Sequence, residues 1–94
     1  SEIESRLNLS SGWIKERTGI ETRSYHSGGV SDLAVDACTK LFYADPEVKD
    51  QIDLIICCTV TPDNPWPAAA CKIASRLGVS VPGFDISASC SGFI

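Results

Sequence analysis

Cys90 stands in a setting suited to covalent chemistry. It lies in Ala88-Ser89-Cys90-Ser91-Gly92, a run of small residues between the stretch Phe84 to Ser87 and the pair Phe93-Ile94. A thiol accepts an acyl group as its thiolate, and the unpaired N–H groups of a helix N-terminus favour that anion. Small neighbours let backbone and substrate approach closely, as a strained strand-to-helix turn carrying a nucleophile requires. Taken alone, these residues leave a second reading open, in which Cys90 is a small hydrophobe packed in a core. For Cys38 on a helix stripe, Cys57 and Cys58 in a strand, and Cys71 inside a helix, that bland reading is the expectation.

A nucleophile turn needs elements to hold it. Phe84 to Ser87 reads as the short strand that delivers Cys90. Asp53 to Val60, DLIICCTV, is an almost unbroken apolar run with β-branched residues, the pattern of a central strand covered on both faces of a parallel sheet. Between the two, Thr61 to Pro67 is a loop with three prolines and Trp66; Pro67 suits the first turn of a helix that runs to about Leu77 and stops at Gly78. Upstream, Ser31 is expected to cap a helix in which Leu33, Ala37 and Leu41 adjoin Ala34, Cys38 and Phe42, ending near Ala44 before Pro46. Asn8 to Arg17 reads as a short helix with Asn8, Ser10 or Ser11 as N-cap and Gly19 as its stop. Ile20 to Val30 reads as an extended or irregular connection. Helix, strand, helix, strand is an α/β order, with parallel strands joined by a crossover helix.

Composition narrows the partners. With 44% apolar and 21% charged residues the chain intends a core, and 94 residues allow one small domain at most. The net charge of -4 supplies no long-range attraction for nucleic acid or an anionic membrane, so an anionic ligand must rely on a local basic group such as Lys15, Arg17 and Arg23. No apolar run reaches the roughly 18 to 20 residues that span a bilayer. Five cysteines, an odd number, argue against a disulfide framework and for reduced thiols in a cytoplasm. With one histidine and no CxxC pair, no metal site is expected. The chain opens on Ser1 without Met and stops just after a strand-turn-helix signal, so residues 1–94 read as a partial domain truncated at both ends.

Three segments are more specific. GWIKERTGI (Gly12 to Ile20), TVTPDNPWPAAAC (Thr59 to Cys71) and FDISASCSGF (Phe84 to Phe93) together resemble the β-ketoacyl-acyl-carrier-protein synthase III branch of the thiolase superfamily, in that family's order and near its spacing. The resemblance implies part of the N-terminal half of a thiolase-like α-β-α-β-α fold. It implies that an acyl group passes from acyl-coenzyme A to Cys90 and is condensed there with malonyl-acyl-carrier protein to initiate fatty acid synthesis. It further implies a homodimer, no permanently bound cofactor, and a catalytic His and Asn downstream of the nucleophile. His26, in the N-terminal connection, does not stand at the position of that His. Hydroxymethylglutaryl-coenzyme A synthase, starter enzymes of secondary metabolism, and a non-catalytic dimerising piece are the alternatives; a thiol-redox protein is disfavoured because no second cysteine lies near Cys90 in sequence.

Carried over residue by residue, Trp13 and Arg17 match the family's coenzyme A contacts, and a Trp face stacks on a base while a guanidinium grips phosphate. The bland alternative makes Trp13 a core or staple residue and Arg17 a solvated charge. Thr18 matches a further position near the cofactor. Trp66 falls where the family often has a Phe that crosses the dimer interface to line the partner's acyl pocket; otherwise it is a loop aromatic packed in its own subunit. Leu9 and Gly12 depart from the family, where a hydroxyl and an acidic residue are common, which puts details of nucleotide contact in doubt.

Overall fold

The computed structural model describes all residues, Ser1–Ile94. Five helices and two strands follow in the order α1 (Glu2–Arg6), α2 (Trp13–Thr18), α3 (Val30–Ala44), α4 (Pro46–Asp50), β1 (Ile55–Cys58), α5 (Ala69–Leu77) and β2 (Gly83–Ile86), and a 3-10 turn at Ser89–Ser91 ends the series. The strands are parallel, with Ile55 opposite Gly83 and Cys58 opposite Ile86, and α5 is the crossover that parallel pairing demands.

Of the expected helix from Asn8 to Arg17 only the stretch from Trp13 is helical, as α2, and α1, which lies before Asn8, was not anticipated. Asn8 (φ 57°) and Gly12 (φ 84°) both adopt left-handed backbone, which no helix interior accepts, so α1 ends before Asn8 and α2 starts after Gly12. Gly19, also left-handed at φ 75°, ends α2 as expected. The short helix α4 was not anticipated; Pro46 opens it at a position where its missing N–H costs nothing. Helix α5 begins two residues after Pro67 because Ala68 is still extended (φ −57°, ψ 144°), and Gly78 closes it with a left-handed turn.

The expected cover on both faces of Asp53 to Val60 is not found within the chain. Four residues pair as a strand, and exposure alternates along them: Ile55 and Cys57 face α5 half-buried, whereas Ile56 and Cys58 face away, exposed. Helix α3 lays Ser31, Ala34, Cys38 and Phe42 on its covered side, while Leu33 and Leu41 stay half exposed. The core is therefore centred on α5, whose Ala69, Ala70, Ile73, Ala74 and Leu77 are the buried hydrophobic residues of the chain. The radius of gyration, 16.3 Å, exceeds the roughly 12 Å of a compact body of this length.

The residues that precede α2, α3 and α5 are Gly12, Gly29 and Ala68, which have no capping side chain. Ser31, the expected cap of α3, lies inside that helix. Asp32 of α3 accepts the Gly29 N–H at 3.0 Å, and each of the three helices is also closed by a carboxylate from elsewhere. Glu4 Oε2 accepts the Ile14 N–H at 3.1 Å, Asp63 accepts the Ser31 N–H at 3.3 Å together with the Ser31 hydroxyl, and Asp85 accepts the Ala69 and Ala70 N–H groups at 2.7 and 2.8 Å. Negative charge at a helix N-terminus meets both unpaired N–H groups and the positive end of the dipole.

Candidate active site

Strand β2 ends at Ile86 and the chain turns at once. Ser89 takes the left-handed conformation (φ 47°), unusual outside glycine, and Ser91 N–H donates to Ala88 O at 2.9 Å while Gly92 N–H donates to Ser89 O at 3.2 Å. Cys90 rides on the crest of this turn and is exposed. The strained strand-to-helix turn read from the small residues is present, but the α-helix expected to follow is here a single 3-10 turn. The core alternative for Cys90 does not hold within these residues.

Cys90 opens onto a pocket of about 350 Å³ that it lines with Cys58, Thr59, Val60 and Ser89. The pocket sits just past the carboxyl ends of β1 and β2, the side of a parallel sheet where ligands bind in α/β proteins. Cys58 and Cys71 were expected to be buried and are exposed; Cys38 and Cys57 are half-buried. Cys58 is exposed because strand alternation turns it away from α5, and its thiol donates to Gly92 O at 2.9 Å. Burial, ahead of the Asp85 carboxylate, pushes the Cys57 thiol pKa up, which disfavours its thiolate.

Trp13 and Arg17 stand four residues apart on α2, with the guanidinium carbon 5.2 Å from the indole centroid, a cation–π pair. Trp13 is 37% exposed, so neither residue is buried as a core staple would be. The exposed Thr18 hydroxyl donates to Ile14 O at 2.7 Å and accepts the Ile20 N–H at 3.1 Å, fastening the end of α2 to the connection that follows. Lys15 is paired with Glu21 at 2.6 Å. Beneath α2, Glu4 is buried, and the hydrogen bond from the Ser1 ammonium, with that from Ile14 N–H, lowers its pKa to about 2.

Trp66 is 86% exposed within residues 1–94. Its loop is nonetheless fastened. Asp63 binds Ser31 at the start of α3, Lys72 donates to Asn64 Oδ1 at 2.9 Å, and the following residues are held by Asp85. The Trp13–Arg17 pair and Trp66 do not line the pocket of Cys90. His26 is engaged elsewhere, with Nε2 2.8 Å from Asp36 and Nδ1 accepting the Gly28 N–H at 3.0 Å. No group of three or more His, Cys, Asp or Glu converges as a metal site would require, and no helix is long and apolar enough to cross a membrane.

No family model matches the chain. Among curated proteins, it is 44% identical over 97 residues to β-ketoacyl-[acyl-carrier-protein] synthase III 3 of Streptomyces coelicolor, covering 100% of the chain and 29% of that relative. It is 45% identical over 96 residues to β-ketoacyl-[acyl-carrier-protein] synthase III of Campylobacter fetus, covering 99% of the chain and 29% of that relative. The chain is a relative of β-ketoacyl-[acyl-carrier-protein] synthase III. Among solved structures, the synthase III of Thermus thermophilus superposes with a TM-score of 0.74 at 31% identity, over 93% of the chain and 28% of that structure. OleA of Xanthomonas campestris superposes with a TM-score of 0.61 at 26% identity, over 90% of the chain and 27% of that structure. The fold is thus part of a thiolase-type α/β fold, and the chain spans somewhat under a third of the length of the synthase III relatives it matches.

Proposed function

We propose that these residues form the acyl-accepting part of a β-ketoacyl-acyl-carrier-protein synthase III. The observation that carries the reading is Cys90 itself: exposed, on a strained turn, and open to a pocket at the carboxyl ends of two parallel strands. The sulfur of Cys90 attacks the carbonyl carbon of an acyl-coenzyme A thioester. The bond to the coenzyme A sulfur breaks, coenzyme A leaves as a thiol, and the acyl group stays on Cys90 as a thioester. A malonyl group on acyl-carrier protein then loses carbon dioxide, and the resulting carbanion attacks the acyl carbonyl, forming a carbon–carbon bond and releasing Cys90.

The Trp13–Arg17 pair is the proposed coenzyme A contact, since a half-exposed indole and a guanidinium fixed over it present a stacking face beside N–H groups that can donate to phosphate oxygens. Thr18, exposed beside Arg17 with its hydroxyl holding the end of α2, is proposed as a further contact near the nucleotide. No side chain around Cys90 in this pocket is a histidine or a carboxylate, so the groups that move protons and stabilise the carbanion come from outside the pocket lining seen here. The exposed Trp66, on a fastened loop, suits a contact with a partner subunit in a homodimer, and free cysteines suit a cytoplasmic protein. Incubation of the whole protein with acetyl-coenzyme A, followed by peptide mass spectrometry, tests the reading: one acetyl group on Cys90 is expected.

A further inference from the structure

We infer that Cys58 is a positioning residue for the Cys90 turn. This rests on the reading of Cys90 as the acyl acceptor. The two cysteines stand far apart in sequence, but parallel pairing sets Cys58, the last residue of β1, beside Ile86, the last residue of β2, where the turn departs. The Cys58 thiol then donates to the carbonyl of Gly92, two residues beyond Cys90, at 2.9 Å. The backbone of Gly92 comes so close that a Cβ there would lie 3.1 Å from Cys58 Cβ and 3.8 Å from Cys58 Sγ. A hydrogen bond and a close contact therefore fix the far side of a turn whose near side is held by the Ser91–Ala88 and Gly92–Ser89 backbone bonds.

Cys58 also lines the pocket of Cys90, so whatever side chain stands there shapes the space the acyl group enters. Both properties follow from strand parity. Cys57 faces α5 and reaches neither the turn nor the pocket, whereas Cys58 reaches both. A bulkier side chain at position 58 would press on Gly92, and an apolar one of similar size would leave the Gly92 carbonyl without this donor.

The test compares Cys58→Ala, Cys58→Ser and Cys57→Ala in the whole protein. Two rates are read at Cys90: alkylation by iodoacetamide, which needs no acyl transfer, and acylation by acetyl-coenzyme A, resolved into KM and kcat. Thermal melting is recorded for each variant. Cys58→Ala should lower both rates roughly three- to tenfold, the scale of one lost hydrogen bond, with KM little changed. Cys58→Ser, which keeps a donor, should recover most of that loss, and Cys57→Ala should leave both rates near the wild type. Equal rates in Cys58→Ala and the wild type would overturn the inference, as would losses that follow melting temperature alike in all three variants without rescue by serine. If the wild type takes no acetyl group on Cys90 while alkylation still falls in Cys58→Ala and returns in Cys58→Ser, the positioning stands and the acyl-acceptor reading falls.

Discussion

The carboxylate of Asp85 closes the N-terminus of α5, accepting the N–H of Ala69 at 2.7 Å and of Ala70 at 2.8 Å. One residue on the strand that leads to Cys90 thereby fixes the helix that forms the core and the end of the loop that carries Trp66. Replacing it by alanine removes the acceptor of two N–H groups at a half-buried joint. A loss of about 1 to 3 kcal/mol is expected in denaturant melts of the whole protein, with faster hydrogen exchange in the first turn of α5. Unchanged stability would show that water replaces the carboxylate at no cost.

Arg17 is held over Trp13, and its loss should be felt by coenzyme A and not by acyl-carrier protein. In the whole protein, Arg17→Ala is expected to weaken coenzyme A substrates by on the order of 1 to 3 kcal/mol, measured as kcat/KM, while malonyl-acyl-carrier protein is used as before. Arg17→Lys should restore only part, because an ammonium does not reproduce the planar stacked fork. Equal losses for both substrates would make Arg17 structural.

Asp63 fastens the Trp66 loop to α3, and Ser31 holds its carboxyl pKa below the ordinary aspartate value. A carboxylate with a depressed folded pKa contributes stability above its unfolded value near 3.8, and that contribution is lost as pH falls through the lowered folded value. Wild type and Asp63→Asn should therefore differ in melting temperature at neutral pH and converge in strong acid. A gap independent of pH would rule out this linkage. Gly29 belongs to the same joint, since a Cβ there would run into the Asp63 carboxylate.

The 94 residues alone should not behave as a stable monomer. Seven residues are buried, and Ile56, Val60, Phe84 and Leu54 on or beside the strands are 45 to 56% exposed. Two parallel strands with both outer edges unpaired leave backbone groups and apolar faces that call for further cover. Sedimentation and thermal melting of the isolated chain should show association or a non-cooperative transition; a compact monomer with a sharp transition would contradict this.

Local signals were read well from the sequence, and long-range ones were not. Gly19 and Gly78 announced the ends of α2 and α5 because a left-handed residue ends a helix by its own conformation. The parallel strands and crossover were visible in DLIICCTV and the run from Pro67 to Leu77. The late start of α2 was missed because Asn8, Ser10 and Ser11 all fit a helix N-cap, whereas the residue that precedes α2 is the left-handed Gly12. The caps supplied by Glu4, Asp63 and Asp85 reach across 10, 32 and 16 residues, distances at which no periodicity or neighbour rule operates. Cys58 was set aside as a core residue because an unbroken apolar run hides which face is covered; only its pairing with β2 shows it turned towards Gly92. For Cys90 the small-residue turn was the legible signal, and the left-handed Ser89 is its physical counterpart.

The most direct measurement is the site of acylation. Since Cys58 and Cys71 are exposed as well as Cys90, exposure alone does not choose among them. The whole protein and its Cys90→Ala variant are incubated with a short acyl-coenzyme A and digested, and every cysteine peptide is weighed. A nucleophile at Cys90 predicts one acyl group on the Cys90 peptide in the wild type and none on any peptide of the variant, even though the Cys58 thiol lines the same pocket. An acyl group found on Cys58 or Cys71, or acylation that survives in Cys90→Ala, would contradict it.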